Sequence, residues 1–436
     1  MKPYATYKPS GVPWLGDVPG HWDVLSLRHA MDGLAMNGLF KKSEEFGRGT
    51  PLVNVSDLFQ ESFAVDVDSL ERVACTPEEI EKYAVQEGDL FLVRSSLKLE
   101  GIAQFAVARV VKEPTVFECH IVRIRPDLVL TCPLFLSYYL NAPFARQSLV
   151  SRSKTTTMTT IDQNEALSTP MLLPLLDEQR AIADYLDVET ARIDTLIHEK
   201  EELIGLLREA RTSVIDRAVQ PHQTKAAPLK RYVKGIATGP FGSALHADDY
   251  VSGGAFLINP THIVHGKLAP DADVSLSDEA ATALGVYRFK AGDIVVGRRG
   301  EMGRCAVVPD DGEAYYCGTG CLMLFPDTSK VVPSYLAMVI SSTPSKDWLS
   351  LESVGSTMEN LNSEILARLP CFIPSIDEQI CLLAQVQAEI VAYDNLLTYV
   401  QEEITLLKEL RAATIADAVL GRIDVRTIPL ACRDIP

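Results

Sequence analysis

The sequence has no run of about 18 unbroken apolar residues, the length of a membrane-spanning helix, and no signal-peptide-like apolar stretch at its start. It therefore predicts a cytoplasmic protein with no membrane partner. Its nine cysteines include no Cys-x-x-Cys pair, and Cys317 and Cys321, the closest two, have no second pair nearby to complete a zinc site. We expect reduced, mostly buried thiols and no metal.

Basic residues are in deficit, with 41 Lys and Arg against 58 Asp and Glu and a formal net charge of −17. Proteins that bind nucleic acid usually carry a basic surface, so the total charge argues against that class. Length and composition are those of a globular protein with about three domains' worth of chain.

The sequence contains an internal repeat with an offset of 200 residues. The hexapeptide PLLDEQ at 174–179 recurs as PSIDEQ at 374–379, and the offset continues without a gap over more than forty positions. The preceding segments repeat more loosely, with matches such as Pro126 to Pro326, and their small insertions are typical of loops. The chain is thus two diverged segments, each followed by a nearly constant one.

The constant segments show helical periodicity, with apolar residues spaced by three, four and seven positions. The apolar positions are Ile193, Ile197, Ile204, Leu207, Val214 and Ala218 in the first copy, and Leu396, Val400, Ile404, Leu407 and Ile415 in the second. Some forty residues would form a helix of roughly 60 Å. A helix of that length with a narrow apolar face needs a partner, and a whole domain separates the copies, so we expect an antiparallel coiled coil.

The diverged segments contain short β-branched runs, such as 104–111 and 292–296, separated by Gly, Pro and Asp. The predicted fold class is α+β, with two diverged mixed α/β domains joined by two long helices in a pseudo-twofold internal repeat. The expected boundaries are 1–170 for the first domain, 171–222 for the first helix, 223–370 for the second domain, 371–425 for the second helix and 426–436 for a C-terminal tail.

Three stretches in this order make the sequence resemble the specificity subunit of type I restriction–modification systems over essentially the whole chain. They are YKPSGVPWLGDVPGHW at 7–22, PLLDEQRAIADYLDVETARID at 174–194, and the second DEQ at 377–379. Each is modest alone, but together they are highly specific. The second copy departs at 381–383, Cys-Leu-Leu, where the family favours an isoleucine-rich helix start.

The resemblance implies that each diverged domain is a target recognition domain that reads one half of a split, asymmetric double-stranded DNA site. The helices would set the spacer between the half-sites and dock two methyltransferase subunits per chain, and a restriction translocase subunit would join the full complex. Cofactors are expected in those partners, as S-adenosylmethionine, ATP and Mg²⁺, and none in this chain. The predicted partner-docking residues are Asp177, Glu178, Gln179, Asp377, Glu378 and Gln379.

Candidate DNA-binding residues lie in two places in each diverged segment. One is the exit of a repeated Gly-Asp strand, where both copies place arginine, and the other is a hydroxyl-rich loop before the long helix, which in the first copy ends an acid-free stretch. The predicted residues are Arg94, Ser95, Lys98, Arg152, Lys154, Thr155, Thr156, Arg298, Arg299, Arg304, Ser356 and Thr357. For the loops, a merely polar connection remains open, and Arg123 and Arg125 are either a second cationic row or a solvated face.

The motifs of a self-sufficient enzyme are missing from the sequence. There is no Pro-Pro for a DNA amino-methyltransferase loop, no acidic residue two positions before any lysine for a common nuclease site, and no Gly-x-x-x-x-Gly-Lys for ATP hydrolysis. We therefore predict a non-catalytic subunit with no catalytic residue. A two-headed protein-interaction scaffold without DNA contact is the alternative, and the negative charge is its main support.

The distribution of charge weakens that support. Residues 171–222 contain 11 acidic against 6 basic side chains, and residues 371–436 contain 10 against 5. More than half of the net charge therefore lies on the predicted helices, which would face protein partners, and the diverged domains keep local basic clusters.

Overall fold

The computed structural model describes residues 3–155, 157–220, 225–240, 250–353 and 361–428. The chain divides into two compact units, Met1–Glu201 with Glu402–Pro436, and Glu202–Gln401. Each unit therefore contains one diverged domain and about half of each long helix.

The diverged domain of the first unit is built on a four-stranded antiparallel sheet in the order β4-β11-β7-β9. A second sheet, in the order β10-β5-β6, contains a parallel β5–β10 pair. The strands of this unit are β1 Tyr7–Pro9, β2 Asp17–Pro19, β3 Asp23–Ser26, β4 Met36–Asn37, β5 Phe46–Val53, β6 Glu71–Val73, β7 Leu90–Val93, β8 Ser95–Ser96, β9 Phe105–Val107, β10 Val116–Phe117, β11 Ile121–Ile124, β12 Lys154–Thr155, β13 Thr159–Thr160 and β14 Pro170–Leu173.

The second unit repeats this arrangement. Its main sheet has the order β16-β25-β22-β23, and a neighbouring sheet, β17-β21-β18-β24, contains the corresponding parallel pair β18–β24. Its strands are β15 Ala227–Pro228, β16 Val233–Thr238, β17 Tyr250–Val251, β18 Ala255–Ile258, β19 Ile263–Val264, β20 Lys267–Leu268, β21 Ser275–Leu276, β22 Ile294–Gly297, β23 Cys305–Val307, β24 Tyr315–Cys317, β25 Cys321–Pro326 and β26 Pro370–Cys371.

The central strand of each main sheet is buried on both faces. In β7, Leu90 and Leu92 belong to the core that includes helix residue Phe135, and Phe91 and Val93 belong to a separate core on the other face. Successive side chains of a strand point to opposite faces, so a strand between two cores must be apolar throughout. This explains why Leu90–Val93 and Ile294–Gly297 contain no polar side chain.

The helices include two that are far longer than the rest, α5 and α10. The helices of the described residues are α1 Pro77–Lys82, α2 Pro133–Asn141, α3 Pro143–Val150, α4 Gln163–Leu167, α5 Leu176–Ala218, α6 Asp278–Ala283, α7 Pro333–Ser341, α8 Thr343–Glu352, α9 Ser363–Arg368 and α10 Ile376–Val419. Helices α2 and α7 each begin with a proline, Pro133 and Pro333, in the first turn, where no backbone N–H is needed.

The two long helices pair antiparallel within each unit, as predicted. In the first unit, Asp194 binds Arg411 at 2.7 Å and Lys200 binds Glu403 at 2.6 Å. In the second unit, Arg211 binds Asp394 at 2.7 Å and Arg217 binds Glu389 at 3.3 Å. In both units the partner number falls as the residue number along α5 rises, which defines the antiparallel direction. Of the predicted apolar face, Leu396 is an exception, because it is exposed.

By length and composition alone, α10 could cross a membrane, the only such helix among the described residues. Two of its acidic residues, Glu389 and Asp394, form ion pairs with arginines of α5. An acidic side chain at the centre of a bilayer costs about 3 kcal/mol. The ion pairs of Glu389 and Asp394 are instead those of a helix in contact with water. We therefore assign α10 to a non-membrane protein.

Terminal segments complete the core of the first unit. Trp22 is fully buried, and the Tyr7 hydroxyl donates to the Gly421 carbonyl at 2.9 Å. Gly421 has a φ of +67°, and a Cβ at this position would collide with Pro19 and Trp22. Glycine is thus required both by conformation and by close packing.

The repeat-related pairs Asp194–Arg411 and Arg211–Asp394 should differ in their contribution to stability. The Arg411 side chain is 10% exposed and stacks on the Phe63 ring at 5.3 Å, whereas Arg211 is 25% exposed. We expect Arg411→Ala to destabilise the first unit by about 2 kcal/mol, because it leaves Asp194 without its partner and removes the ring contact. Arg211→Ala is the matched control, with an expected loss of less than about 1 kcal/mol. Calorimetric unfolding measures both, and equal losses would contradict the assignment.

Candidate nucleic-acid interface

The structure brings together two predicted stretches of the first unit that are some sixty residues apart in the sequence. Strands β8, β13 and β12 form a small three-stranded antiparallel sheet. Ser96 lies opposite Thr159, and Thr155 lies opposite Thr159 from the other side. The strands consist of serine, threonine and one lysine, Lys154. Arg94 and Lys98 lie just before and just after β8. This set of strands and flanking residues is called the polar sheet below.

Arg94 and Arg298 occupy equivalent, tightly fixed positions in the two units. The Arg94 N–H donates to the His120 carbonyl at 2.9 Å, and its carbonyl accepts from the Ile161 N–H at 2.9 Å. In the second unit, the Arg298 N–H donates to the Gly320 carbonyl at 2.8 Å, and its carbonyl accepts from the Leu361 N–H at 2.9 Å. The partners are related by the 200-residue repeat. Both copies therefore place arginine at the same fixed strand exit, in agreement with the sequence interpretation.

Four of the predicted cations are available for a ligand. Arg94, Lys98, Lys154 and Arg299 form no side-chain hydrogen bond or ion pair within the described parts of the chain, and Arg94 alone of the four is half-buried. Three of them, Arg94, Lys98 and Lys154, belong to the polar sheet. Cations beside hydroxyl groups are the usual contacts of proteins with a phosphate backbone.

Other predicted residues make structural contacts. The Arg152 guanidinium donates to the Ser148 carbonyl at 3.0 Å, the Glu165 carbonyl at 2.8 Å and the Thr169 hydroxyl at 2.8 Å. Arg304 donates to the Pro260 carbonyl at 3.2 Å and Arg298 to the Leu361 carbonyl at 3.1 Å. Their role in DNA binding stays a prediction, and in this structure they brace loops.

The predicted hydroxyl residues are divided between described and undescribed segments. The Thr155 and Thr159 hydroxyls are 3.1 Å apart, and the Ser95 hydroxyl lies 2.6 Å from His120 Nδ1. The predicted Thr156, Ser356 and Thr357 lie outside the described residues.

Arg123 and Arg125 are neither a cationic row nor a solvated face, so both alternatives for them are wrong. Arg125 forms two hydrogen bonds with the buried Asp89, at 2.7 and 2.8 Å, and this contact raises its pKa. Arg123 is buried over the Phe117 ring and donates to the Ala84 carbonyl at 2.8 Å. Arg125 therefore pairs with a buried carboxylate and Arg123 binds a backbone carbonyl of the same unit, which the sequence pattern did not indicate.

A cluster that the sequence interpretation missed lies beside Arg94. Glu118, Cys119 and His120 place a carboxylate, a thiol and an imidazole within 4.8 Å of one another. Burial first, and Glu118 second, raise the pKa of the Cys119 thiol, which opposes formation of the thiolate that binds metals. The repeat counterpart, Gly318-Thr319-Gly320, has none of these groups. The cluster distinguishes the two interfaces chemically, and the adjacent Cys-His in the sequence was the signal that could have found it.

The predicted partner-docking residues divide into surface and buried groups. Asp177, Asp377 and Glu378 are at the surface. Glu178 is buried, 2.9 Å from His21 and 3.8 Å from Arg426, and Gln179 and Gln379 are fully buried. In this structure Glu178, Gln179 and Gln379 contact groups of their own unit, and their role in docking a partner stays a prediction.

The environments of the cysteines predict which thiols react in the folded protein. Burial raises the pKa of Cys305, Cys321 and Cys371 to about 12, so their thiolates are absent near pH 8, whereas Cys381 is exposed. We expect a thiol reagent to modify Cys381 rapidly and the three buried cysteines only on unfolding, as mapped by mass spectrometry. Cys381→Ser should remove one fast-reacting thiol, and fast labelling of Cys305 in the native state would contradict the structure.

The sequence pattern of the type I restriction modification DNA specificity domain matches residues 247–412. The chain is 22% identical over 426 residues to the type I restriction enzyme EcoBI specificity subunit of Escherichia coli, covering 91% of this chain and 86% of that one. It is 23% identical over 196 residues to the EcoKI specificity subunit of Escherichia coli strain K12, covering 43% and 40%.

Solved structures show the same fold. A chain from a type I R-M system, studied for its complex assembly and conformational transition, superposes with a TM-score of 0.73 at 15% identity, covering 93% of this chain and 99% of that one. The HsdS subunit of Thermoanaerobacter tengcongensis superposes with a TM-score of 0.53 at 15% identity, covering 93% and 98%. The resemblance found in the sequence is therefore confirmed: the chain has the fold of type I restriction–modification specificity subunits, and its residues 247–412 match their DNA specificity domain.

Proposed function

We propose that this chain is the DNA sequence-recognition subunit of a type I restriction–modification complex, and that each diverged domain reads one half of a bipartite, asymmetric double-stranded DNA target. One observation carries the proposal. In both units, repeat-related backbone hydrogen bonds fix the same strand exit. This exit carries Arg94 in the first unit and Arg298-Arg299 in the second. The relatives that the chain resembles are named specificity subunits, which gives no support to a scaffold without DNA contact.

The chemistry of the two interfaces supports an asymmetric target. The first unit offers the polar sheet with Lys98 and Lys154, next to the Glu118-Cys119-His120 cluster. The second offers Arg299 and a loop of two glycines at the same place. Arginine pairs with guanine, a carboxylate accepts from the cytosine amino group, and hydroxyls and lysines hold phosphates. Interfaces with such different donors and acceptors would select different bases.

The long helices are suited to fix the spacer between the half-sites. Helix α5 has 43 residues and α10 has 44. At a rise of 1.5 Å per residue each is about 65 Å long, a length comparable with roughly two turns of a DNA duplex. In this proposal, the helix length determines which spacer the two domains can span together.

The helices also offer surfaces for partner proteins. Leu206 and Leu406, at the same repeat position, are 63% and 62% exposed. Exposed leucines at equivalent places, with acidic residues around them, support the docking of two like subunits per chain. We assign these to methyltransferase subunits that use S-adenosylmethionine, with a restriction translocase that uses ATP and Mg²⁺ joining the full complex in the cytoplasm. The chain itself would be non-catalytic and hold no cofactor.

The free cations of the first unit give a salt-dependent test of DNA binding. Each phosphate contact contributes about 0.9 to the slope of log affinity against log salt concentration. We expect the triple variant Arg94→Ala, Lys98→Ala, Lys154→Ala to lower this slope by about 2 to 3, as measured by fluorescence anisotropy with duplex DNA and the methyltransferase partner. Lys112→Ala, which removes an exposed lysine paired with Asp68, is the matched control. Absence of duplex affinity with the partner present would contradict the proposal.

Single arginine variants should relax opposite halves of the target. Because Arg94 and Arg299 lie in different units, we expect Arg94→Ala to relax base preference in one half-site and Arg299→Ala in the other, by about 1–3 kcal/mol per affected base pair. Methylome sequencing of cells that express each variant with the methyltransferase measures this. A palindromic, uninterrupted motif for the wild-type chain would contradict the two-domain mechanism.

A further inference from the structure

Two fully buried glutamines occupy the same position in the first turns of the two long helices. Gln179 Oε1 accepts a hydrogen bond from the Cys132 N–H at 2.8 Å. Its Nε2 donates to the carbonyls of Leu130 and Pro174, each at 2.9 Å. The amide thus makes three hydrogen bonds, all to backbone groups of its own unit.

Gln379 repeats this arrangement in the second unit. Its Oε1 accepts from the Val332 N–H at 2.7 Å, and its Nε2 donates to the carbonyls of Lys330 at 3.2 Å and Pro374 at 2.8 Å. All three partners are displaced by 200 residues from those of Gln179. The side chains at these positions differ, leucine against lysine and cysteine against valine, but the contact is unchanged because it uses only the backbone.

The three partners of each glutamine belong to two separate segments of its unit. Residues 130–132 lead directly into α2, whose Phe135 and Leu136 pack into the same core as sheet residues Leu90 and Leu92. Pro174 follows β14, the strand that leaves the domain, and Gln179 itself lies on α5. One amide therefore joins the domain, its exit strand and the helix. Since hydrogen bonds are directional, three of them on one planar group fix an angle as well as a distance.

We propose that Gln179 and Gln379 are positioning residues that fix the angle between each recognition domain and its own long helix, and thereby restrict the DNA spacer to a single length. This inference rests on the proposed function. A tilt of about 10° at such a joint moves a point about 30 Å along the helix by about 5 Å, which exceeds the 3.4 Å rise of one base pair along DNA. Small angular freedom at either joint would therefore admit spacers that differ by one base pair.

The test measures spacer tolerance of the complete methyltransferase complex. Gln179→Ala and Gln379→Ala complexes are compared with wild type on DNA libraries that keep both half-sites and vary the spacer by one base pair in each direction. We expect each variant to keep the same half-site sequences and to raise methylation at altered spacers, relative to the original spacer, at least tenfold. Gln179→Met fills the same space without the hydrogen bonds, and it carries the test if the alanine variant does not fold. Gln387→Ala, which removes an exposed glutamine from α10, is the matched control.

The outcomes separate this inference from the function on which it rests. If the variants lose overall activity but keep the single wild-type spacer, the glutamines are merely structural and the inference is overturned, with the proposed function intact. If the wild-type complex methylates no bipartite site, the proposed function fails and the inference with it.

Discussion

The antiparallel pairing of two long, repeat-related helices is the constraint on which the rest of the structure depends. Because the two helices are copies of each other at an offset of 200 residues, Asp194 with Arg411 and Asp394 with Arg211 are the same pair made twice. One aspartate and one arginine per copy are therefore enough to define direction and register in both units. The more exposed pair, Arg211 with Asp394, contributes little to stability, and the more buried pair, Asp194 with Arg411, contributes more. The ion pairs contribute specificity, because a shifted register would separate them.

A shared backbone framework allows the recognition surfaces to diverge. The strand exits at Arg94 and Arg298 are held by main-chain hydrogen bonds, and Gln179 and Gln379 bind only main-chain groups. Such contacts do not depend on the neighbouring side chains. The same scaffold can therefore carry a serine- and threonine-rich sheet in one unit and an arginine pair beside glycines in the other, which is what the proposed reading of two different half-sites would require.

The repeat is broken where the terminal segments pack onto the first unit. Glu178 is buried there beside His21 and Arg426, and the Arg426 guanidinium lies 5.3 Å from the Tyr4 ring centre. Its counterpart Glu378 is exposed, and the hydrogen bonds that it accepts from the Ser375 hydroxyl first and the Ser375 N–H second lower its pKa. Burying a carboxylate without nearby cations would destabilise the fold. The glutamate of the repeated motif is buried only in the first unit, where the terminal segments supply His21 and Arg426.

The sequence by itself determined the architecture. The 200-residue repeat, the helical periodicity and the diverged β-rich segments predicted two α+β domains, two long helices and their antiparallel direction, because hydrophobic spacing reports directly on local structure. It also identified the arginine at each strand exit. Only the tertiary structure decided which polar side chains are free to bind a ligand. Four polar side chains are each bound by backbone or charged groups of other segments of the chain, namely Arg123, Arg152, Gln179 and Glu178. Ala84, Leu130 and His21, which bind Arg123, Gln179 and Glu178, lie 39, 49 and 157 positions away along the chain. No local pattern records which distant group a buried polar side chain will satisfy.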